Sequence, residues 1–372
     1  MQKRAQVKNT SVKSKKIEGG KESNTKTLNV TQTKTQNEVQ NSFLSNPNLK
    51  ATREGFGEGL LEVARKNKFV YAVTADVAGS VGMSEFSKEL PMQFVEVGVA
   101  EQNMVTVASG LAAAGKIPFA AAFAAFSPGR NWEQIRTTIA YNNLPVIVVG
   151  SHVGLGVGED GATHQMLEDI ALMRVVPNMQ VIVPCDAIQA KKSVAALVSS
   201  KKPAYLRVFR QKSRVMTTEQ TEFKIGKIQV FKEYEKSASA GTSVGANSVC
   251  IISCGPQLFE ALIAAEQLKK SKLNVAVLNC HTIKPLDSET ILKYAKNAKL
   301  VVVVEDHQIA GGLGGAISEF LSANLPKKML FIGMNDSFGE SGYDKSLYKK
   351  YKFDANGIAN QIKNVFTKNS FK

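Results

Sequence analysis

The side chains best able to do chemistry fall in three short runs. In FVEVGVAEQNM (Phe94 to Met104) a strand pattern ends at Gly98-Val99-Ala100, and Glu101 opens a helical pattern. A carboxylate there can act on a ligand, or it can simply offset the positive end of the helix. The run PFAAAFAAFSPGR, ending at Arg130, sets Phe123 and Phe126 three residues apart, where they can face a planar ring or fill a core. The third run, SHVGLGVGEDGATHQML (Ser151 to Leu167), gathers His152, Glu159, Asp160 and His164 into a glycine-rich loop ahead of a helix. Loops of this kind carry polar side chains into sites more often than regular elements do, though a solvated turn has the same composition.

Other chemistries find less support. The four histidines, His152, His164, His281 and His307, show no metal-ligand spacing such as H-x-x-x-H. No P-loop is present. The stretches Gly154 to Gly158 and Gly311 to Gly315 lack the strand, GxGxxG and helix order, with an acid downstream, that a dinucleotide site needs.

The elements that must position these residues alternate. Helical patterns cover Thr52 to Lys66, Glu101 to Ala114 and Trp132 to Tyr141. Short apolar runs at Phe69 to Ala75, Val146 to Val149, Val181 to Val183 and Tyr205 to Val208 read as buried strands. Continuous apolar strands between helices predict a parallel sheet covered on both faces. The pattern breaks near residue 216, and the small polar stretch SASAGTSVGANS reads as a connector. It resumes with strands at Val249 to Ser253, Val275 to Leu278 and Leu300 to Val304. Helices follow at Gln257 to Lys270, Ser288 to Lys296 and Leu313 to Ala323. The expected fold class is α/β, with two consecutive parallel-sheet α/β domains. The expected division is a tail over 1–47, a domain over 48–215, a linker over 216–247 and a second domain over 248–372.

Composition narrows the function classes. The chain has 372 residues, 44% hydrophobic and 21% charged, in the range of globular proteins. No apolar run reaches membrane-spanning length, and the richest, Val107 to Phe126, is interrupted by Lys116 and Pro118. No secretory signal opens the chain, so the cytoplasm is the expected location and no membrane partner is expected. Residues 1–46 carry nine Lys/Arg against three Glu, in a polar stretch too poor in apolar side chains to offset its ordering entropy, and disorder is expected there. Of the net charge of +15, +9 lies outside this tail and suits anionic substrates or an acidic partner. The chain lacks the basic–aromatic interleaving of a nucleic-acid surface, so no nucleic-acid partner is expected. Cys185, Cys250, Cys254 and Cys280 form no C-x-x-C pair and are expected as buried inert thiols.

Together the motifs resemble the transketolase family. GVAEQNM resembles the segment holding the family's cofactor-activating glutamate, GLGVGEDGATHQMLE its GLGEDGPTHQ loop, and TADVAGS (Thr74 to Ser80) its aspartate–serine loop. HTIKPLD (His281 to Asp287) and VEDHQIAGGLGGA (Val304 to Ala316) resemble its C-terminal domain, where His281, Glu305 and His307 are expected as fold or interface residues. The resemblance covers only the second half of a transketolase, from about Asn48 onward. It therefore implies a thiamine-diphosphate pyrimidine-binding domain followed by a transketolase C-terminal domain. The diphosphate and Mg²⁺ ligands of the family's GDG…N motif are absent from this chain and are expected from a partner subunit, in a heterotetramer. The resemblance implies thiamine diphosphate as cofactor, with Glu101, Phe123, Phe126 and Asp76 on the cofactor. Glu101 would bond the aminopyrimidine ring and help to set up removal of the cofactor's C2 proton. His164 would stand beside the donor's reacting end, and Asp160 would accept a sugar hydroxyl. Arg53, Ser80, His152 and Arg210 would hold the phosphate of a phosphorylated sugar, with Arg207 and Arg214 flanking Arg210. The family's third aromatic falls where Gly129 stands.

The implied activity is transfer of a two-carbon ketol unit between phosphorylated sugars, only in company with the partner. The rival readings are a 1-deoxy-xylulose-5-phosphate synthase-like subunit, a 2-oxo-acid dehydrogenase beta-like subunit and a non-catalytic interaction subunit.

Overall fold

The computed structural model describes residues 48–235 and 247–367. The tail expected over 1–47 lies outside these, as does most of the SASAGTSVGANS connector.

Strand β1 (Leu49–Ala51) forms an antiparallel ribbon with β8 (Lys212–Arg214). Between them lie β2 (Val70–Thr74), β3 (Phe94–Glu96), β4 (Ile117–Phe123), β5 (Ile147–Ser151), β6 (Gln180–Ile182) and β7 (Ala204–Arg207), all parallel. Their sheet runs β12-β6-β7-β5-β4-β2-β3, and its edge strand β12 (Thr282–Lys284) arrives antiparallel from the second half of the chain. The second sheet runs β14-β13-β10-β11-β9. Within it β10 (Ser248–Ser253), β11 (Asn274–Asn279), β13 (Leu300–Gln308) and β14 (Met329–Met334) are parallel, and β9 (Gln229–Lys232) is antiparallel.

Three features depart from the sequence expectations. The segment expected as linker contains β9, whose four half-buried residues, QVFK, gave too short a pattern to stand out. The helix expected over Trp132 to Tyr141 is one turn, Trp132–Gln134, followed by a π-helical stretch, Ile135–Ala140. Strand β13 continues past Val304 through the polar EDHQ, because each acid there has a backbone donor. Glu305 accepts from the N–H groups of Leu313 and Gly314 at 2.7 and 2.8 Å, capping the helix Leu313–Asn324, and Asp306 accepts from Leu155 N–H at 3.0 Å.

The sheets are packed on both faces. One face of the first sheet carries Phe56, Leu60, Val194 and Leu197 from the helices Thr52–Lys66 and Ala187–Ser200. The other joins a core that also contains Cys250, Ile252, Ala276 and Val301 of the second sheet, so the two domains share apolar interior. All four cysteines are free and buried.

The two halves are also clasped by charge. Arg207, 1% exposed, donates to both oxygens of fully buried Asp169 at 2.6 and 3.0 Å and to the Asp306 carbonyl at 2.9 Å. Burial opposes its charge, but Asp169 outweighs that and holds the guanidinium above its ordinary value.

Candidate active site

The candidate residues meet at the C-terminal ends of the parallel strands, where open α/β sheets bind ligands. Asp76 and Ser80 follow β2, Glu101 follows β3, Phe123 ends β4 and Phe126 follows it, His152 to His164 follow β5, and Arg210 follows β7. Arg53 is the second residue of the helix Thr52–Lys66, which docks on the loop after β2 at Gly82. A Cβ at Gly57 would stand 2.1 Å from the Gly82 carbonyl oxygen, so only glycine permits this approach. The docking lets Arg53 donate from Nη1 to the Ser80 carbonyl.

Glu101 is the first residue of the helix Glu101–Ala113 and is only 4% exposed. Its backbone carbonyl accepts from Asn131 Nδ2 at 2.9 Å, and Asn131 Nδ2 also contacts Ser127 Oγ at 3.1 Å. Its carboxylate accepts from Arg130 Nη1 at 2.7 Å. The Arg130 guanidinium carbon lies 4.7 Å from the centre of the Phe126 ring.

The rings form a stack with an edge. Phe123 and Phe126 are near-parallel with centroids 6.4 Å apart. His164 presents itself edge-on to both, at 5.5 Å from Phe126 and 6.4 Å from Phe123. A face of Phe123 is covered by His152, at 3.9 Å and 23°. The two phenylalanines were expected to act alike, yet Phe123 is paired with an imidazole and Phe126 with a guanidinium.

His152 is buried, with a left-handed backbone (φ 57°) that a non-glycine residue adopts only at a cost, and its Nδ1 lies 2.9 Å from Ser151 Oγ. Burial, then Arg53, Arg210 and His164, push its pKa down to about 3. The ring is therefore neutral near pH 7, because three basic neighbours and a dry setting both disfavour a further positive charge. His152 thus brings a hydrogen-bonding ring to the cluster, and the positive charge comes from Arg53 and Arg210. Burial, with help from Arg210, lowers Arg53 below the usual arginine value, against Glu54.

Of the three neighbouring arginines, Arg207 is taken up by Asp169, and Arg214 lies over the Phe259 ring at 4.6 Å. Arg210 reaches the glycine-rich loop, donating to the Val157 carbonyl at 2.7 Å and standing 3.4 Å from Asp160 Oδ2. Asp160 is exposed, and His164 is half-buried with Nδ1 2.9 Å from Thr163 Oγ1. Asp76 is exposed, in a left-handed conformation (φ 60°) held by a bond from its N–H to Glu96 Oε1 at 2.7 Å. Glu96 also accepts from Gly98 N–H at 3.1 Å, tying the Asp76 loop to the turn before Glu101.

Sequence reasoning missed Glu96, Arg130 and Asn131. Arg130 and Asn131 lie about thirty positions from the glutamate they touch, and no local spacing announces such a contact. Among the described residues no group of three His, Cys, Asp or Glu side chains could hold a metal ion, and no helix is long and apolar enough to cross a membrane.

Residues 49–216 match the transketolase pyrimidine-binding domain and residues 239–358 the transketolase C-terminal domain. Over 316 residues the chain is 42% identical to a Methanocaldococcus jannaschii protein named for a transketolase C-terminal section, spanning 84% of this chain and 95% of that one. Over 320 residues it is 35% identical to the 6-deoxy-6-sulfo-D-fructose transketolase subunit SqwH of a Clostridium species, spanning 86% and 96%. A solved structure described as a split gene transketolase, inactive beta4 tetramer, superposes with a TM-score of 0.77 at 36% identity over 85% of this chain and 98% of that one. A buried glutamate at a helix start, two near-parallel phenylalanines and a histidine-bearing loop thus sit in an α/β chain that belongs to the transketolase family, as its C-terminal section.

Proposed function

We propose that this chain is one subunit of a two-chain transketolase, supplying the pyrimidine side of a thiamine-diphosphate site, and that with its partner it moves a two-carbon ketol unit between phosphorylated sugars. The observation that carries the reading is the convergence of buried Glu101 and the face of Phe126 on one side chain, Arg130, with Asp160, His164 and Arg210 on the loops across the strand ends. A half-buried aromatic face next to one buried carboxyl fits an aminopyrimidine, which offers a flat apolar surface and a ring nitrogen at its edge. When bound, the cofactor supplies a carbanion at its thiazolium C2.

This chain's residues do the rest. Glu101 would hydrogen-bond the pyrimidine ring nitrogen and hold the proton shared with it. Phe126 fixes the plane of the ring. His164 and Asp160 address the sugar's carbonyl end and hydroxyls, and His152 adds a neutral hydrogen-bonding ring. Arg210 and Arg53, near the Ser80 loop, supply the cationic mouth for a phosphate, to which guanidinium forks are suited. Asp76 closes the cofactor side of that mouth. The ligands for the diphosphate and for Mg²⁺ come from the partner subunit, in a heterotetramer in the cytoplasm.

Reconstitution tests this. The chain mixed with a subunit carrying the GDG…N motif should transfer ketol units from a ketose phosphate to an aldose phosphate, and neither chain alone should do so. By calorimetry the lone chain should bind thiamine diphosphate weakly, and tight Mg²⁺-dependent binding without the partner would sink the proposal.

A further inference from the structure

Glu101 and Phe126, the two groups assigned to the pyrimidine ring, already share a ligand from within the chain. The Arg130 guanidinium donates to Glu101 Oε2 at 2.7 Å and lies 4.7 Å from the Phe126 centroid. The guanidinium is planar, carries N–H donors at its edge and stacks on aromatic faces. Those are the properties a pyrimidine would use between the same two residues.

The backbone explains why this arginine is there. Where the family resemblance expects a third aromatic stands Gly129, and a Cβ at that position would lie 2.1 Å from the Ala125 carbonyl oxygen. No side chain fits there, and the group over Phe126 comes from the next residue. Asn131, bonded to the Glu101 carbonyl and to Ser127, pins the root of Arg130 beside Glu101. Half of the Arg130 side chain is exposed against 5% of that of Glu101, so solvent is open to the head when it leaves.

The two occupants exclude each other. A planar group needs roughly 3.5–4 Å of contact distance on each face. Arg130 lies over a face of Phe126 while it holds Glu101, so a ring seated between those two residues would take its place. The guanidinium also occupies Glu101 Oε2, one of the two oxygens a ring nitrogen could reach.

We propose that Arg130 is a built-in occupant of the pyrimidine pocket, a positioning residue that lies on Phe126 and holds the Glu101 carboxylate until a ligand's ring displaces it. The inference rests on the cofactor reading of the site given above. It makes the affinity for the cofactor a competition between an aminopyrimidine and an arginine of the same chain, and it keeps the buried carboxyl paired while the pocket lacks a ring.

The test uses the full chain and two probes. Thiamine diphosphate with Mg²⁺ is titrated into the reconstituted complex. The free 4-amino-5-hydroxymethyl-2-methylpyrimidine is titrated into the chain alone, followed by the fluorescence of Trp132, the only tryptophan, two residues from Arg130. Arg130→Met keeps the reach and removes the charge, and it should tighten both affinities by about five- to tenfold, the size of a half-exposed ion pair with a cation–π contact. Arg130→Lys should fall between, because an ammonium keeps the charge but loses the plane. Added salt should tighten pyrimidine binding to the wild-type chain and leave Arg130→Met unchanged, since screening weakens only the pair that must break. A purely structural arginine would shift melting and not produce this salt difference. Unchanged or weaker binding by Arg130→Met overturns the inference. Absence of cofactor binding in every variant, with activity indifferent to Glu101→Gln, overturns the cofactor reading itself and this inference with it.

Discussion

Arg207 and Asp169 form a two-pronged ion pair, at 2.6 and 3.0 Å, in which neither side chain exceeds 1% exposure. The pair sits where the second sheet meets the first, since the same guanidinium reaches the Asp306 carbonyl and Tyr205 donates its hydroxyl to Asp169 at 2.6 Å. Removing one partner leaves the other charged and dry. Arg207→Met should therefore cost about 3–5 kcal/mol in urea unfolding, while Arg207→Met with Asp169→Leu should recover most of the loss. A single-variant loss below about 1 kcal/mol, the range of surface pairs, would show that this clasp does not join the domains.

The sequence pointed to three neighbouring arginines without ranking them, and the fold separates them by what each meets. Arg210→Ala should raise KM for a phosphorylated acceptor about tenfold or more, the worth of one charge-assisted contact. The unphosphorylated analogue should change little. Equal effects on the two acceptors would remove the phosphate assignment.

Acid should destabilise the fold through two histidines. Burial lowers His152 to about 3 and His281 to about 4, against an ordinary 6.5. The unfolded chain takes up both protons as pH falls through 6.5, whereas the folded chain does not until near 4 and 3. Stability held at pH 7 is thus lost progressively below about 6.5. His281 has its Nε2 buried without a hydrogen-bond partner and its ring 4.4 Å from Phe223, so a proton there would be poorly received. Melting temperature should fall between pH 7 and pH 4.5, and less steeply for His281→Asn. Parallel slopes for the two proteins would contradict the neutral, buried state of His281.

The alternating architecture was legible because buried parallel strands leave continuous apolar runs. Val146 to Val149 and Val249 to Ser253 gave themselves away in this manner. The polar end of β13 did not, since Glu305 and Asp306 are buried only by virtue of backbone donors at Leu313, Gly314 and Leu155 that no local pattern reveals. The same holds at the site. Glu101 and the loop from His152 to His164 were readable from local sequence. The covering of Phe123 by His152, the neutrality of that histidine and the hold of Arg130 on Glu101 arise only when segments far apart in sequence converge.

The central claim is that Glu101 acts on a cofactor and does not merely offset a helix dipole. As a dipole partner its loss should cost about 0.3–1 kcal/mol of stability and little else. As the group that holds the proton shared with the pyrimidine it should be indispensable to activation. In the reconstituted complex, Glu101→Ala should slow exchange of the C2 proton of bound thiamine diphosphate, measured by quenched-flow NMR, by at least about a hundredfold. The turnover number should fall in parallel while the melting temperature holds. Near-normal exchange in that variant would contradict the account.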